Sequence, residues 1–172
     1  MRLLPVSKAT EITGVLQRWL KNADRIVVVG VGNELRRDDF VGVEVVRRLK
    51  NRVSKHVMLI ESETVPENFI EPIVEFNPTR VLIIDAGLLG LESGEARFLE
   101  PSDALGLATG AVSTHSLPLK IFCEYLGKVT SAKIALIVIQ PKRTDFGEGL
   151  SSEIKKTAEK LTKILQQTLK ST

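Results

Sequence analysis

Three segments of the sequence carry groups able to bind a divalent cation or move a proton. The first runs Gly30-Val31-Gly32-Asn33-Glu34-Leu35-Arg36-Arg37-Asp38-Asp39-Phe40-Val41-Gly42 and contains an acidic pair. The second is Asp85-Ala86-Gly87, and the third is Ser113-Thr114-His115-Ser116. Carboxylate oxygen and imidazole nitrogen together suit a divalent first-row metal such as nickel or zinc. Each residue also has an ordinary reading. Asp38 or Asp39 can cap a helix through Val41, Asp85 can sit in a turn, and His115 can be a surface loop residue. Their joint placement favours the chemical reading, because two of the segments follow buried strands and the third leads into a helix. In an open α/β sheet, ligands bind beyond the carboxyl ends of the strands. The positive end of a helix from Leu117, with Ser116 as its N-cap, disfavours an imidazolium, so a neutral His115 ring able to coordinate is the expectation.

Other chemistries have weaker support. The chain has no His-Glu-x-x-His helix and no Gly-x-Ser-x-Gly elbow. Gly30-x-Gly32 lacks the third glycine of a dinucleotide fingerprint, and Asp38 and Asp39 would repel a phosphate. Cys123 falls among Ile121, Phe122 and Tyr125 and reads as a buried, inert thiol. His56 precedes the second strand at its amino end, away from the expected rim.

The elements that must position these groups follow from hydrophobic periodicity. Continuous β-branched and aliphatic runs at 26–29, 57–60, 81–84 and 134–139 suit parallel strands buried on both faces. Helical patterns lie between them: Val41, Val45, Val46 and Leu49, then Phe69, Ile70, Ile73 and Val74, with Pro66 near the start. Alternating strands and helices predict an α/β sheet with helices on both faces. Gly94 to Leu99 alternates polar and apolar residues after a turn, as an antiparallel edge strand would. A loop from about 101 to 114 leads to a helix from Leu117 to about Leu126, with Ile121, Phe122, Tyr125 and Leu126 as its apolar side. Ile12, Val15, Leu16, Trp19 and Leu20 mark an N-terminal helix opening at Ser7. Ile154, Ala158, Leu161, Leu165 and Leu169 mark a long C-terminal helix capped by Ser151 or Ser152.

The totals set bounds. The chain has 172 residues, of which 43% are hydrophobic and 26% charged, enough for one domain with a substantial core. No run approaches the ~20 apolar residues of a membrane helix, and the apolar start is too short for a secretory signal. One cysteine excludes an intramolecular disulfide scaffold. A cytoplasmic protein is the resulting expectation. The net charge of +3 is dispersed along the chain, and aromatics are only 5%, which disfavours a nucleic-acid surface.

Taken in order, four blocks resemble the maturation endopeptidases of nickel-iron hydrogenases. They are Gly30-Val31-Gly32-Asn33 through Asp38-Asp39 to Gly42, then Asp85-Ala86-Gly87, then Thr114-His115-Ser116-Leu117. The last is Gln140-Pro141 with Gly147, Gly149, Leu150 and Ser151. The resemblance covers about residues 25–165. It treats 1–172 as a single domain of this type, with an extra helix over 1–23. Phe40 departs from the small residue that many members carry after the acidic pair, and could narrow or reshape the site rim.

The resemblance implies a three-layer α/β/α fold with a mostly parallel five-stranded sheet. It implies an endopeptidase that removes the C-terminal extension of a nickel-loaded large-subunit precursor, with Asp39, Asp85 and His115 meeting the nickel. That nickel would be supplied by the substrate and not held tightly by the free enzyme. Gly32, Asn33 and Gly87 would shape the backbone so that the precursor tail approaches closely. Asp38 is a candidate base by adjacency alone. The competing readings are a self-sufficient metallohydrolase with a permanent zinc on the same three residues, and a non-enzymatic nickel-dependent binding module.

Overall fold

The computed structural model describes residues 9–101 and 116–170. Its elements, in chain order, are α1 (Ala9–Trp19), β1 (Ile26–Val31), α2 (Val41–Leu49), β2 (Val57–Glu63), α3 (Ile70–Phe76), β3 (Arg80–Ala86), β4 (Ala96–Leu99), α4 (Ser116–Val129), β5 (Lys133–Ile139) and α5 (Ser152–Lys170). Single 3-10 turns at Arg37–Phe40 and Pro66–Phe69 lead directly into α2 and α3. The five strands form one sheet in the order β2-β1-β3-β5-β4. β1, β2, β3 and β5 are parallel, and the edge strand β4 runs antiparallel to β5. The predicted α/β/α architecture and the antiparallel edge are both present. Among the described residues, no helix is long and apolar enough to cross a membrane.

Strand alternation divides the core into two layers. Ile26 and Val28 of β1, Leu82 and Ile84 of β3, and Ile137 and Ile139 of β5 pack against α1, α2 and α5. Val27, Val29, Val81, Ile83, Leu136 and Val138 pack instead against α3 and α4. Two-sided burial explains why β1 shows no polar alternation in its sequence. Helical spacing is right for α1 and α5, whose Ile12, Leu16, Ile154, Ala158 and Leu165 are all buried.

α4 differs from the expectation. It extends past Leu126 to Val129, and only part of the proposed apolar side is covered. Phe122 and Leu126 are buried, whereas Ile121 and Tyr125 are exposed. Those four residues combine two adjacent helical stripes, and the inward one is completed by Leu119 and Cys123. Burial, with a smaller contribution from Glu124, pushes the Cys123 thiol up to about 12, so the folded protein keeps this sulfur protonated and un-nucleophilic. Cys123 is therefore expected to resist a thiol reagent such as iodoacetamide at pH 8 until denaturant is added. Rapid stoichiometric labelling of the native chain would contradict this placement.

Glycines set how closely α2 meets the sheet. A Cβ on Gly42 would lie 2.0 Å from the Ile84 carbonyl oxygen and 2.5 Å from that of Val31. One on Gly30 would lie 2.4 Å from the Gly42 carbonyl oxygen. The first turn of α2 is thus seated directly on the ends of β1 and β3. Gly42→Ala must push backbone against backbone, so it is expected to destabilise the fold by about 3 kcal/mol. Thermal unfolding followed by circular dichroism measures this, and an unchanged midpoint would mean that α2 can move away from the strands.

Candidate active site

The loop after β1 turns back on itself through Asn33. The Asn33 side-chain oxygen accepts a hydrogen bond from the Leu35 N–H at 2.9 Å, and its carbonyl accepts one from the Arg36 N–H at 3.0 Å. The Asn33 N–H donates to Asp39 Oδ2 at 2.9 Å. Gly32 permits this closure: a Cβ there would lie 2.1 Å from the Asp39 carbonyl oxygen. The space at Gly32 is therefore filled by the chain's own backbone at Asp39 and Phe40. The loop N–H groups that a phosphate would need are engaged within the chain, that of Gly32 by the Glu63 carbonyl and that of Asn33 by Asp39, which disfavours the phosphate-loop reading.

Asp39 lies in the 3-10 turn that becomes α2, and that turn packs against β3. The positive end of α2 favours a carboxylate at this position. Asp85 is the penultimate residue of β3, where its Oδ1 accepts the Ala86 N–H at 2.8 Å. Its cross-strand neighbour is Val138, a member of the core layer beneath α3 and α4. Asp85 thus faces the layer of α4, the helix that follows His115 in the chain. Both carboxylates are fully buried. Gly87 donates its N–H to the Ile139 carbonyl at 3.0 Å and fastens the start of the β3 exit loop to β5. His115 lies outside the described residues, as do Ser7 and the loop from 102 to 114. Among the described residues, no three His, Cys, Asp or Glu side chains form a metal-binding group.

Asp38 has a different role from either one proposed for it. Neither aspartate caps α2, whose N-cap is Phe40 with no side-chain cap bond. Nor does the Asp38 carboxylate have the open lone pairs of a general base. It accepts four hydrogen bonds, from the N–H groups of Lys142, Arg143 and Ser151 and from the Ser151 hydroxyl, at 2.6–3.0 Å. The Asp38 N–H in turn donates to the Arg143 carbonyl at 3.0 Å. One fully buried carboxylate therefore ties the β1 exit loop to the β5 exit loop and to the start of α5. The Ser151 hydroxyl is committed to Asp38, and that of Ser152 donates to Glu153. Neither serves simply as the expected α5 cap.

Two further residues acquire structural meaning. Gln140 follows β5, and its side-chain oxygen accepts the N–H groups of Leu89 and Leu91, at 2.7 and 3.3 Å, holding the β3 exit loop. Sequence reading noted Gln140 only as part of a motif, because its partners lie about fifty residues earlier in the chain. Phe40 is buried with the Arg47 guanidinium 5.0 Å over its ring. It is a packing residue beneath a cation. Cys123 is buried on α4 and His56 is exposed before β2, and neither belongs to the site.

Fold and site together define a three-layer α/β/α protein with buried acids at the carboxyl ends of its central strands. Residues 43–168 match the family model for hydrogenase maturation proteases. A Methanocaldococcus jannaschii protein that carries the same family name is 37% identical over 154 residues, covering 85% of this chain and 89% of that one. The hydrogenase 3 maturation protease of Escherichia coli K12 is 31% identical over 133 residues, covering 77% and 83%. The crystal structure of the nickel-iron hydrogenase maturation protease HycI from Thermococcus kodakarensis KOD1 superposes with a TM-score of 0.82 at 38% identity, covering 91% of this chain and 99% of that one. The chain belongs to the hydrogenase maturation protease family and is a peptidase.

Proposed function

We propose that this peptidase removes the C-terminal extension of a nickel-iron hydrogenase large-subunit precursor once nickel is seated in that precursor. Asp39, Asp85 and His115 are the residues that meet the nickel. The observation that carries this reading is the pair of fully buried carboxylates on packed elements, Asp39 before α2 and Asp85 at the end of β3, in a chain of this family. Burial removes the water that would otherwise screen these charges, so a divalent cation presented to them gains more than it would at an open surface. The donor set of two carboxylates and one imidazole fits nickel.

The reaction is hydrolysis: water oxygen joins the carbonyl carbon, the C–N bond breaks, and the departing amine takes a proton. The metal in the precursor supplies Lewis acidity beside the scissile carbonyl. The buried, protonated Cys123 is not available as a nucleophile. A precursor lacking nickel forfeits the coordination bonds and binds weakly, so one set of residues both recognises the finished metal centre and restricts cleavage to it.

The decisive experiment incubates the protein with large-subunit precursor, nickel-loaded or nickel-free, and follows mass. Loss of a single C-terminal peptide from the loaded form alone is expected. Equal cleavage of both forms would remove nickel from the recognition step, and no cleavage of either would refute the substrate. Because the nickel arrives with the precursor, the purified protein is expected to contain well below one equivalent of metal per chain. Elemental analysis finding one tightly held zinc would favour a self-sufficient metallohydrolase instead.

A further inference from the structure

The peptide that enters this site must pass the loops beyond the carboxyl ends of β1, β3 and β5. These are the three adjacent inner strands of the sheet, so their exit loops are neighbours along one rim. Each of the three loops exposes one large apolar side chain. Leu35 follows β1 and is 48% exposed, Leu88 follows β3 and is 54% exposed, and Phe146 follows β5 and is 78% exposed. A single exposed apolar residue is commonplace on a soluble protein. Three on consecutive loops, each leaving a strand of the site, call for an explanation.

Their backbone setting strengthens the case. Phe146 is not at the tip of a loose loop. The N–H of Gly147 donates to the Leu35 carbonyl at 2.8 Å, and the Gly147 carbonyl accepts the Arg37 N–H at 2.9 Å. Gly147 adopts φ +148°, a backbone conformation that favours glycine, at the point where the two loops meet. On the other side of Phe146, Asp145 bridges Arg37 and Arg143 at 3.2 and 3.0 Å. Asp38 holds the N–H groups of Lys142 and Arg143. The chain is thus fastened on both sides of an aromatic ring that faces water. The Leu88 loop is fastened likewise by Gln140. A loop whose backbone is already fixed loses little further backbone freedom when a partner covers it, which is the preorganisation a binding anchor benefits from.

We infer that Leu35, Leu88 and Phe146 form an apolar rim that binds apolar side chains of the precursor segment flanking the scissile bond. The inference rests on the peptidase reading above. Continuity with the site decides the occupant: Leu35 lies in the same closed loop as Asp39, between the Asn33 turn and the acidic pair, and Leu88 is three residues beyond Asp85. A body bound on this rim lies against the chain that bears both carboxylates. The rim selects and positions precursor, and the acids meet its nickel. Phe146 is the dominant anchor, being the largest and the most exposed of the three.

The test is steady-state cleavage of nickel-loaded precursor by wild type, Phe146→Ala, Leu35→Ala/Phe146→Ala and Phe146→Leu, with Val129→Ala as control. Val129 lies at the far end of α4, next to the amino end of β5. For Phe146→Ala, KM is expected to rise about tenfold with kcat changing less than about twofold, the effect of losing one anchoring ring. The double variant should be worse, Phe146→Leu should recover most of the loss, and Val129→Ala should match wild type. Unfolding midpoints should be unchanged, since the truncated side chains are exposed. An unchanged KM in the double variant overturns the rim while leaving the peptidase reading intact. A fall in kcat without a rise in KM also overturns it. So does a wild-type dimer in sedimentation that dissociates in Phe146→Ala, because the rim would then bind a second copy. Wild type that cleaves no nickel-loaded precursor fails the peptidase reading, and the inference falls with it.

Discussion

Asp39→Asn and Asp85→Asn are each expected to slow cleavage of nickel-loaded precursor by at least about a hundredfold while unfolding at the same temperature as wild type or higher. The two halves of this result have one cause. Both carboxylates are fully buried, and holding an ionised group out of water costs stability. Asparagine retains an oxygen able to accept the Asn33 N–H at position 39 or the Ala86 N–H at position 85, so these two hydrogen bonds survive. What is lost is the negative charge that a divalent cation requires. A residue kept for the fold would behave in the opposite way, losing stability with the charge. His115→Ala belongs to the same set and should be equally defective. If the three serve one nickel-reading step, combining two substitutions should add little to the worse single one. The assay is the mass shift of precursor over time, with circular dichroism to confirm folding. Near-normal cleavage by folded Asp39→Asn would falsify its assignment, and multiplicative losses in the doubles would argue for separate roles.

How much of this was legible in the sequence depended on whether the relevant partner was local. The inner strands could be read directly, because a parallel strand covered on both faces has to be apolar at successive positions, as Val27, Val28 and Val29 are. The edge position of β4 was legible for the converse reason: Arg97 alternates with apolar neighbours. α4 was read too short and with its sides mixed, since Ile121 and Phe122 are both apolar and only the packing shows which one faces inward. The glycines of the β1 loop announced a close approach but not of what. Gly32 admits Asp39 and Gly42 admits Ile84, and nothing within a few residues of either reveals that.

Rim residues were the least legible. Leu35, Leu88 and Phe146 belong to no periodic pattern, and each alone looks like an ordinary loop residue. Their relation arises from the strand order, in which β5 lies beside β3 and β3 beside β1. The same holds for Gln140, whose side chain reaches back to a loop it could not have been paired with by local spacing.

Asp38 shows this limit most clearly and carries an expected effect on stability as large as that of Gly42→Ala. Adjacent to Asp39 and equally acidic, it invites a paired role in chemistry or a helix cap. Its four acceptor bonds instead go to residues 104 to 113 positions away. Asp38→Ala leaves three N–H groups and one hydroxyl at a buried position with no acceptor. Hydrogen bonds to a charged group contribute about 1.5–3 kcal/mol each in isolation, but they share one carboxylate here and neighbouring atoms relax, so the expected loss is about 3 kcal/mol in total. For a chain of this length that corresponds to a midpoint roughly 10 °C lower. Asp38→Asn should cost nearly as much, because its amide NH2 places a donor where donors already converge. Both variants also release the β5 exit loop that carries Phe146, so at a temperature where they remain folded their KM for precursor should rise, with kcat reduced less than in Asp39→Asn. The two neighbouring aspartates are thus separated by opposite signs: replacing Asp39 leaves a stable, inactive protein, and replacing Asp38 leaves an unstable one with weakened binding. Unfolding midpoints of the two Asn variants, measured together, decide the matter, and an Asp38→Asn midpoint equal to or above that of wild type would show that this carboxylate does not hold the loops.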